Sequence, residues 1–319
     1  MDGGAPELLR EASPWSVLAG AAAVLLLWWA AQVLDWAWLA PRRMERALRA
    51  QGLKGTRYRF LWGDLKEERR LAVEALSRPV PMGRPHDILP RVSPLLHRAV
   101  EERGKLSFTW FGTTPRVTII DPELVREVTS NKDGNFVKTK LATRIVKLLI
   151  GGVAILDGEK WAKHRRIMNP AFHAEKLKVT MVLYEVLRLY PPALFLNRRT
   201  HKQTELGGVM YPPDVMFVIP IMFIHRDPVF WGPDAGEFNP GRFAEGVSKA
   251  CSDPGAFIPF SWGPRVCIGQ NFALLEAKLG ISMILQRFAF ELSPAYVHAP
   301  YNILTLHPQH SVLVRVRRL

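Results

Sequence analysis

The sequence predicts a mainly α-helical protein with a small β portion, an α+β fold held by an N-terminal transmembrane helix. Three stretches carry that expectation. Residues 12–34 contain no charged side chain. Gln270 to Phe288 places Phe272, Leu275, Leu279 and Met283 at steps of three and four, the spacing of one helix face. Leu106 to Ile120 reads as two strands around a Gly-Thr-Thr-Pro turn.

The chain has 319 residues, enough for a sizeable core in one large domain or two. Its net charge is +14, and its pI is near 10.1. Such a balance suits nucleic acid, an anionic membrane surface or an acidic protein partner. No nucleic-acid motif is present, and the basic residues are spread along the chain with short runs such as His164-Arg165-Arg166. The two cysteines, Cys251 and Cys267, do not make a disulfide framework, which fits a reducing compartment.

Within 12–34, Val17 to Leu34 is dominated by Ala, Val, Leu and Trp and is long enough to cross a bilayer once. Trp28, Trp29, Trp36 and Trp38 cluster toward its far end, as an interfacial aromatic belt would. Arg42, Arg43, Arg46, Arg49 and Lys54 follow, whereas Asp2, Glu7 and Glu11 precede it with Arg10. The positive-inside rule then puts the N-terminus in the lumen and the rest in the cytosol. A cleaved signal peptide is the rival, but it would want a basic n-region. Residues 35–65 read as a basic, partly helical neck, and 66–319 as the domain that carries the chemistry.

Asp121-Pro-Glu is expected to cap a helix running to Ser130. Trp161 and Arg165 stand at i and i+4 and share a helix face; by themselves their default reading is a core Trp beside paired surface charges. Glu185 and Arg188, at i and i+3, can pair before Pro191-Pro192 stops their helix. Val215 to Ile224 reads as a strand, followed by a His225-Arg-Asp-Pro228 turn expected at the surface. His310 to Val316 alternates like a closing strand. Internal repeats and low-complexity segments are absent from the sequence.

The most informative stretch is Phe260-Ser-Trp-Gly-Pro-Arg-Val-Cys-Ile-Gly269. It places Cys267 just before a helix start, where unpaired backbone N–H groups and the helix dipole favour an anionic sulfur. Arg265 adds a positive charge two residues away. A lone thiolate cannot fill a zinc or iron–sulfur site, which takes three or four protein ligands. A haem iron already has four porphyrin ligands and needs one axial sulfur from the protein.

Phe260, Gly263, Arg265, Cys267 and Gly269 match the Phe-x-x-Gly-x-Arg-x-Cys-x-Gly pattern in full, and here the chain resembles the cytochrome P-450 family of haem-thiolate monooxygenases. The resemblance covers nearly the whole chain. The run Gln51 to Phe60 with Leu61-Trp-Gly-Asp64 is similar to the plant microsomal branch that acts on terpenoids and hormones. It implies haem b with Cys267 as the axial ligand to iron. It implies that Trp161, Arg165, Arg198 and Arg265 hold the haem propionates, with Arg199 beside Arg198 an alternative. It gives Glu185, Arg188 and Arg242 a structural role beneath the cysteine loop. It further implies an NADPH-dependent flavin reductase as electron donor, a lipophilic small-molecule substrate, and the endoplasmic-reticulum membrane as location, with a single pass and a cytosolic catalytic domain.

One part of the pattern is missing. Arg165 and Glu185 are separated by only 20 positions, where the family has a long series of helices. The join falls near Lys178, and the distal Ala-Gly-x-(Asp/Glu)-Thr motif occurs nowhere in the sequence. No distal catalytic residue can therefore be named, and the expected fold is a truncated P-450. The rival reading is an inactive fragment, from a skipped exon or an incomplete gene, that at most binds haem. In either case the apolar surface that the absent helices would cover is expected to be exposed.

Overall fold

The first helix forms because nothing in it opposes a helix: residues 14–34 are uncharged and rich in Ala and Leu, and they form α1 (Pro14–Leu34). The structure, a computed structural model, describes residues 14–130, 134–138, 158–168 and 179–319. Residues 12 and 13 of the expected span, and Lys178 at the expected join, lie outside those. Helix α1 runs without a break through a π-helical turn, Asp35–Leu39, into α2 (Ala40–Ala50). Arg43 closes on Asp35 across that turn at 2.8 Å. One helix, Leu18–Ala50, is long and apolar enough to cross a membrane, and none of its apolar window is buried against the rest of the chain.

The basic stretch after α1 packs into the body of the protein. Leu48, Leu53 and Tyr58 belong to the main apolar core, and the short strand β1 (Lys54–Gly55) joins the main sheet. Glu45, buried on α2, accepts from Arg49 Nε at 3.1 Å and from the Tyr58 backbone N–H at 3.2 Å.

Strands β2 (Leu106–Phe111) and β3 (Thr114–Ile119) form the expected hairpin. Asp121 then accepts from the backbone N–H of Glu123 and Leu124 at 2.9 and 3.1 Å, which starts α6 (Pro122–Ser130), preceded in the chain by α3 (Leu65–Leu76), α4 (Leu89–Val92) and α5 (Pro94–Arg103). The hairpin is part of a six-stranded sheet in the order β1-β2-β3-β8-β5-β4, with β3 and β8 at its centre. In that sheet β4 is Phe136–Lys138, β5 is Leu196–Thr200 and β8 is Met216–Ile219. Strand β3 pairs parallel with β8 and β5 antiparallel with it. A small hairpin, β6 (Thr204–Leu206) with β7 (Val209–Tyr211), lies between β5 and β8 in the chain.

Four local expectations change. The apolar run Val215–Ile224 is not all strand: it turns at Pro220 into a helical turn, α9 (Ile221–Ile224), because Pro220 cannot donate to a ladder. The His225-Arg-Asp-Pro228 turn is not at the surface; His225 is fully buried. The helix from Gln270, α11 (Gln270–Leu285), stops short of Phe288, which instead opens strand β9 (Phe288–Leu292). The closing strand is shifted toward the C-terminus, to β12 (Val314–Arg318), antiparallel to β9. The remaining described helices are α7 (Gly158–Met168), α8 (Val179–Leu189) and α10 (Pro228–Trp231), and β10 (Pro300–Asn302) pairs with β11 (Leu306–Pro308).

Candidate haem-thiolate site

The site is assembled on the helix that carries Glu185. The Glu185 carboxylate and the Arg188 guanidinium are both fully buried on α8 and pair at 2.7 Å. Burial of such a pair is tolerable only when every remaining donor is satisfied. Here Arg188 also donates to the carbonyls of His225, Ala235 and Glu237 at 2.8, 2.6 and 2.9 Å. Glu185 accepts from Arg242 Nε at 3.3 Å and from the Asn239 backbone N–H at 2.8 Å. Arg242 in turn pairs with Asp234 at 2.8 Å. Asp234 escaped the sequence reading, although an acid eight positions before Arg242 was the available signal.

His225 links this cluster to the cysteine loop. Its Nδ1 donates to the Arg188 carbonyl at 3.2 Å, and its Nε2 accepts from the Ile258 backbone N–H at 3.0 Å. Those two bonds define a neutral ring with the proton on Nδ1, stacked on Phe257 at 5.4 Å. Burial drives its pKa down to about 3, and the Arg188 carbonyl opposes that shift. Both ring nitrogens are thus engaged by backbone, which leaves none for a metal.

From Ile258 the chain enters the loop. Ser261 adopts a left-handed φ of 72° and Gly263 one of 71°. A Cβ at Gly263 would stand 2.9 Å from the Thr129 carbonyl and 3.2 Å from Ser130 Cα, so the loop can lie on the end of α6 only with glycine there. The Cys267 N–H donates to the Phe260 carbonyl at 2.8 Å, closing the loop, and the Cys267 carbonyl accepts from Gln270 N–H at 3.4 Å at the start of α11. The result is an exposed sulfur. A Cβ built on Gly269 would meet only that sulfur, at 3.9 Å, so the adjoining backbone is open. Cys251 is different. It is partly buried, it donates to the Asp253 carbonyl at 3.1 Å, and burial pushes its thiol up to about 11, so it stays a neutral thiol.

Two of the four expected propionate-binding residues come together: the Arg265 guanidinium lies 4.9 Å from the centre of the Trp161 ring. Arg165 lies one turn further along the same helix, α7, and its side chain is outside the described residues. Arg198 and Arg199 are neighbours on β5 and so face opposite sides of the sheet. Arg199 pairs with Asp214 at 2.9 Å. Arg198 is buried, opposite Phe217 of β8 and Lys138 of β4.

Among the described residues no group of three His, Cys, Asp or Glu side chains could hold a metal ion. A single exposed sulfur therefore fits a metal that arrives with its other ligands, and the cationic Arg265 beside it fits the carboxylates that a haem brings.

The Cytochrome P450 family model matches residues 94–180 and 178–313. This chain belongs to the cytochrome P450 family. Its similarity to Cytochrome P450 CYP72A616 of Paris polyphylla is 36% identity over 513 residues, covering 94% of this chain and 99% of that protein. Cytochrome P450 72A397 of Kalopanax septemlobus is 30% identical, covering 91% of this chain. Secologanin synthase 1 of Catharanthus roseus is 28% identical, covering 92% of this chain. The first two of these relatives are named as P450s of the 72A group.

The comparisons also locate the gap. The family match comes in two pieces that meet at residues 178–180, and the alignment with the Paris polyphylla P450 extends over 513 residues although this chain has 319. A central region of the P450 pattern is missing at that point. On α11, which follows the cysteine loop, Phe272, Leu275, Leu279 and Met283 are 58%, 50%, 60% and 49% exposed. The apolar face predicted from the sequence is therefore present and open.

Proposed function

We propose that this chain is a microsomal haem-thiolate monooxygenase scaffold, with Cys267 as the axial ligand of haem b and Trp161, Arg165, Arg198 and Arg265 as the residues that hold its propionates. The observation that carries the proposal is an exposed Cys267 sulfur with the Arg265–Trp161 pair two residues away. When bound, a thiolate-ligated haem supplies the activation of dioxygen that inserts one oxygen atom into a lipophilic substrate. The chain's own part is to fix the sulfur. The Phe260 carbonyl holds the Cys267 N–H, and the Thr129 carbonyl and Ser130 press on Gly263. The buried Glu185–Arg188–Arg242 cluster, relayed by His225 to Ile258, keeps the loop from drifting. Arg198, buried on β5, is taken as the propionate partner; Arg199, on the other face of the sheet, pairs with Asp214.

The same reading gives the other parts their roles. Residues 12–34 anchor the chain once in the endoplasmic-reticulum membrane, 35–65 form the neck, and 66–319 form the cytosolic haem domain. Electrons come from an NADPH-dependent flavin reductase, and the net charge of +14 speeds encounter with an acidic partner more than it tightens binding.

A second reading, an inactive fragment that at most binds haem, is favoured by the missing region at 178–180 and by the open face of α11. The missing region is where the resemblance places the distal helix that would roof the pocket and exclude water from it. The deciding experiment is to purify the full chain in detergent, measure its haem content, and assay it with reductase, NADPH and a panel of terpenoids. Bound haem with product supports the monooxygenase. Bound haem with consumption of NADPH and no product supports the haem-binding fragment. A haem-free folded chain overturns the monooxygenase and supports the inactive fragment.

A further inference from the structure

Helix α6 meets the segment that leads to Cys267 at two places, one turn apart. At its end, the Thr129 carbonyl and Ser130 lie against Gly263. Three residues before Thr129, on the same face, stands Arg126. Its guanidinium donates to the Asp253 carboxylate and packs beside Gly255. A Cβ built on Gly255 would stand 2.6 Å from Arg126 Nη1 and 3.5 Å from its Cδ. Gly255 does not have a left-handed φ, so glycine serves there for room and not for backbone freedom.

Asp253 organises the turn that Arg126 holds. Its carboxylate also accepts from the Gly255 N–H at 2.8 Å, and its carbonyl accepts from the Ala256 N–H at 2.8 Å and from the Cys251 thiol at 3.1 Å. The 3-10 turn Pro254–Ala256 follows, and Ala256, Phe257 and Ile258 then enter the core. Two residues on, the Phe260 carbonyl holds the Cys267 N–H. One helix face therefore grips the segment at its entrance and again at Gly263, four positions before the sulfur. Stability alone does not account for this grip. The Arg126 and Asp253 side chains are 34% and 24% exposed, and an ion pair that open to water adds little. Val125 and Val128 already seat α6 in the core. What the guanidinium adds is placement: it ties one carboxylate and one glycine of the segment to a fixed point on the helix.

We infer that Arg126 is a positioning residue for Cys267, which sets where the loop presents its sulfur by holding the Asp253–Gly255 turn against α6. The inference rests on reading Cys267 as the haem ligand, and the test separates the two. The full chain is purified in detergent and loaded with haem, as the native protein, as Arg126→Ala and as Gly255→Ala, which displaces the guanidinium while keeping both charges. Three quantities are read. They are the share of bound haem that gives the thiolate band with carbon monoxide after reduction, the rate at which a maleimide modifies Cys251, located by mass spectrometry, and the midpoint of denaturant unfolding. In both variants the share of haem absorbing at the shorter wavelength of a centre without thiolate should rise severalfold, at native haem content and with the unfolding midpoint little changed. Cys251 should be modified severalfold faster, because the turn that holds its thiol is released. An unchanged thiolate share in both variants, whatever happens at Cys251, overturns the inference. So does a share that falls only in step with the unfolding midpoint, since Arg126 would then act through stability alone. No thiolate band in the native chain overturns the reading of Cys267 itself.

Discussion

Arg265 and Trp161, 104 positions apart in the sequence, are brought within 4.9 Å, guanidinium against indole, two residues from the exposed sulfur of Cys267. The pair joins α7 to the cysteine loop and sets a positive charge beside the proposed ligand. Removing it in Arg265→Ala takes away that charge and its cation–π contact, so haem is predicted to dissociate about tenfold more readily, a loss of ~1.4 kcal/mol. The absorption maximum of the haem that remains bound should not move. A shifted band at full haem content would contradict a propionate role for Arg265.

Glu185 neutralises two arginines in a dry setting. Glu185→Ala leaves Arg188 and Arg242 without their shared acid and should destabilise the chain by roughly 3–5 kcal/mol. The midpoint of denaturant unfolding checks this. A change under about 1 kcal/mol, the scale of an exposed ion pair, would mean that solvent reaches the cluster.

Gly263 is predicted to tolerate no side chain. Gly263→Ala combines a left-handed φ of 71° with a contact of 2.9 Å to the Thr129 carbonyl, and neither backbone can yield easily. The expected cost is about 1–3 kcal/mol, with haem content falling alongside stability. Unchanged stability and haem content would show that the loop does not rest on α6.

Acid should destabilise the protein through His225. The folded ring stays neutral down to about 3, whereas its unfolded pKa is the ordinary 6.5. Between those values the unfolded chain binds the extra proton. Stability therefore falls as pH drops from 6.5 toward 3, by up to about 1.4 kcal/mol per pH unit from this group. Replacing His225 by Gln should flatten that part of the stability–pH curve in urea titrations. An unchanged slope would mean that other groups dominate it.

The outer face of α11 yields a prediction of the opposite sign. Leu279 is 60% exposed, so Leu279→Lys should change unfolding free energy by less than about 0.5 kcal/mol while reducing self-association. Light scattering and denaturant unfolding measure the two effects. A loss of stability above that range would show that Leu279 is covered in solution.

Much of this was legible because short-range chemistry decided it. The β2–β3 hairpin, the Asp121 cap, the Glu185–Arg188 pair and the Cys267 loop each follow from residues within a few positions of one another. The gap near 178 was legible only through the family resemblance, which implies a long series of helices between Arg165 and Glu185, and the two-piece family match meets there. What the sequence hid depended on long-range packing. His225 looks like part of an exposed polar turn, but the Arg188 carbonyl and the Ile258 N–H bury it. The stretch around Tyr58 is strongly basic, yet Leu48, Leu53 and Tyr58 alternate into the core. Arg198 and Arg199 are indistinguishable in sequence; in the fold Arg198 is buried, whereas Arg199 lies on the other face of the sheet and pairs with Asp214.

The most direct test is the carbon monoxide spectrum of the purified, reduced full chain, taken beside that of Cys267→Ala. We predict a red-shifted Soret band of the kind only thiolate ligation gives in the native chain, and none in the variant. The same band in both would contradict Cys267 as the ligand, and with it the site described here.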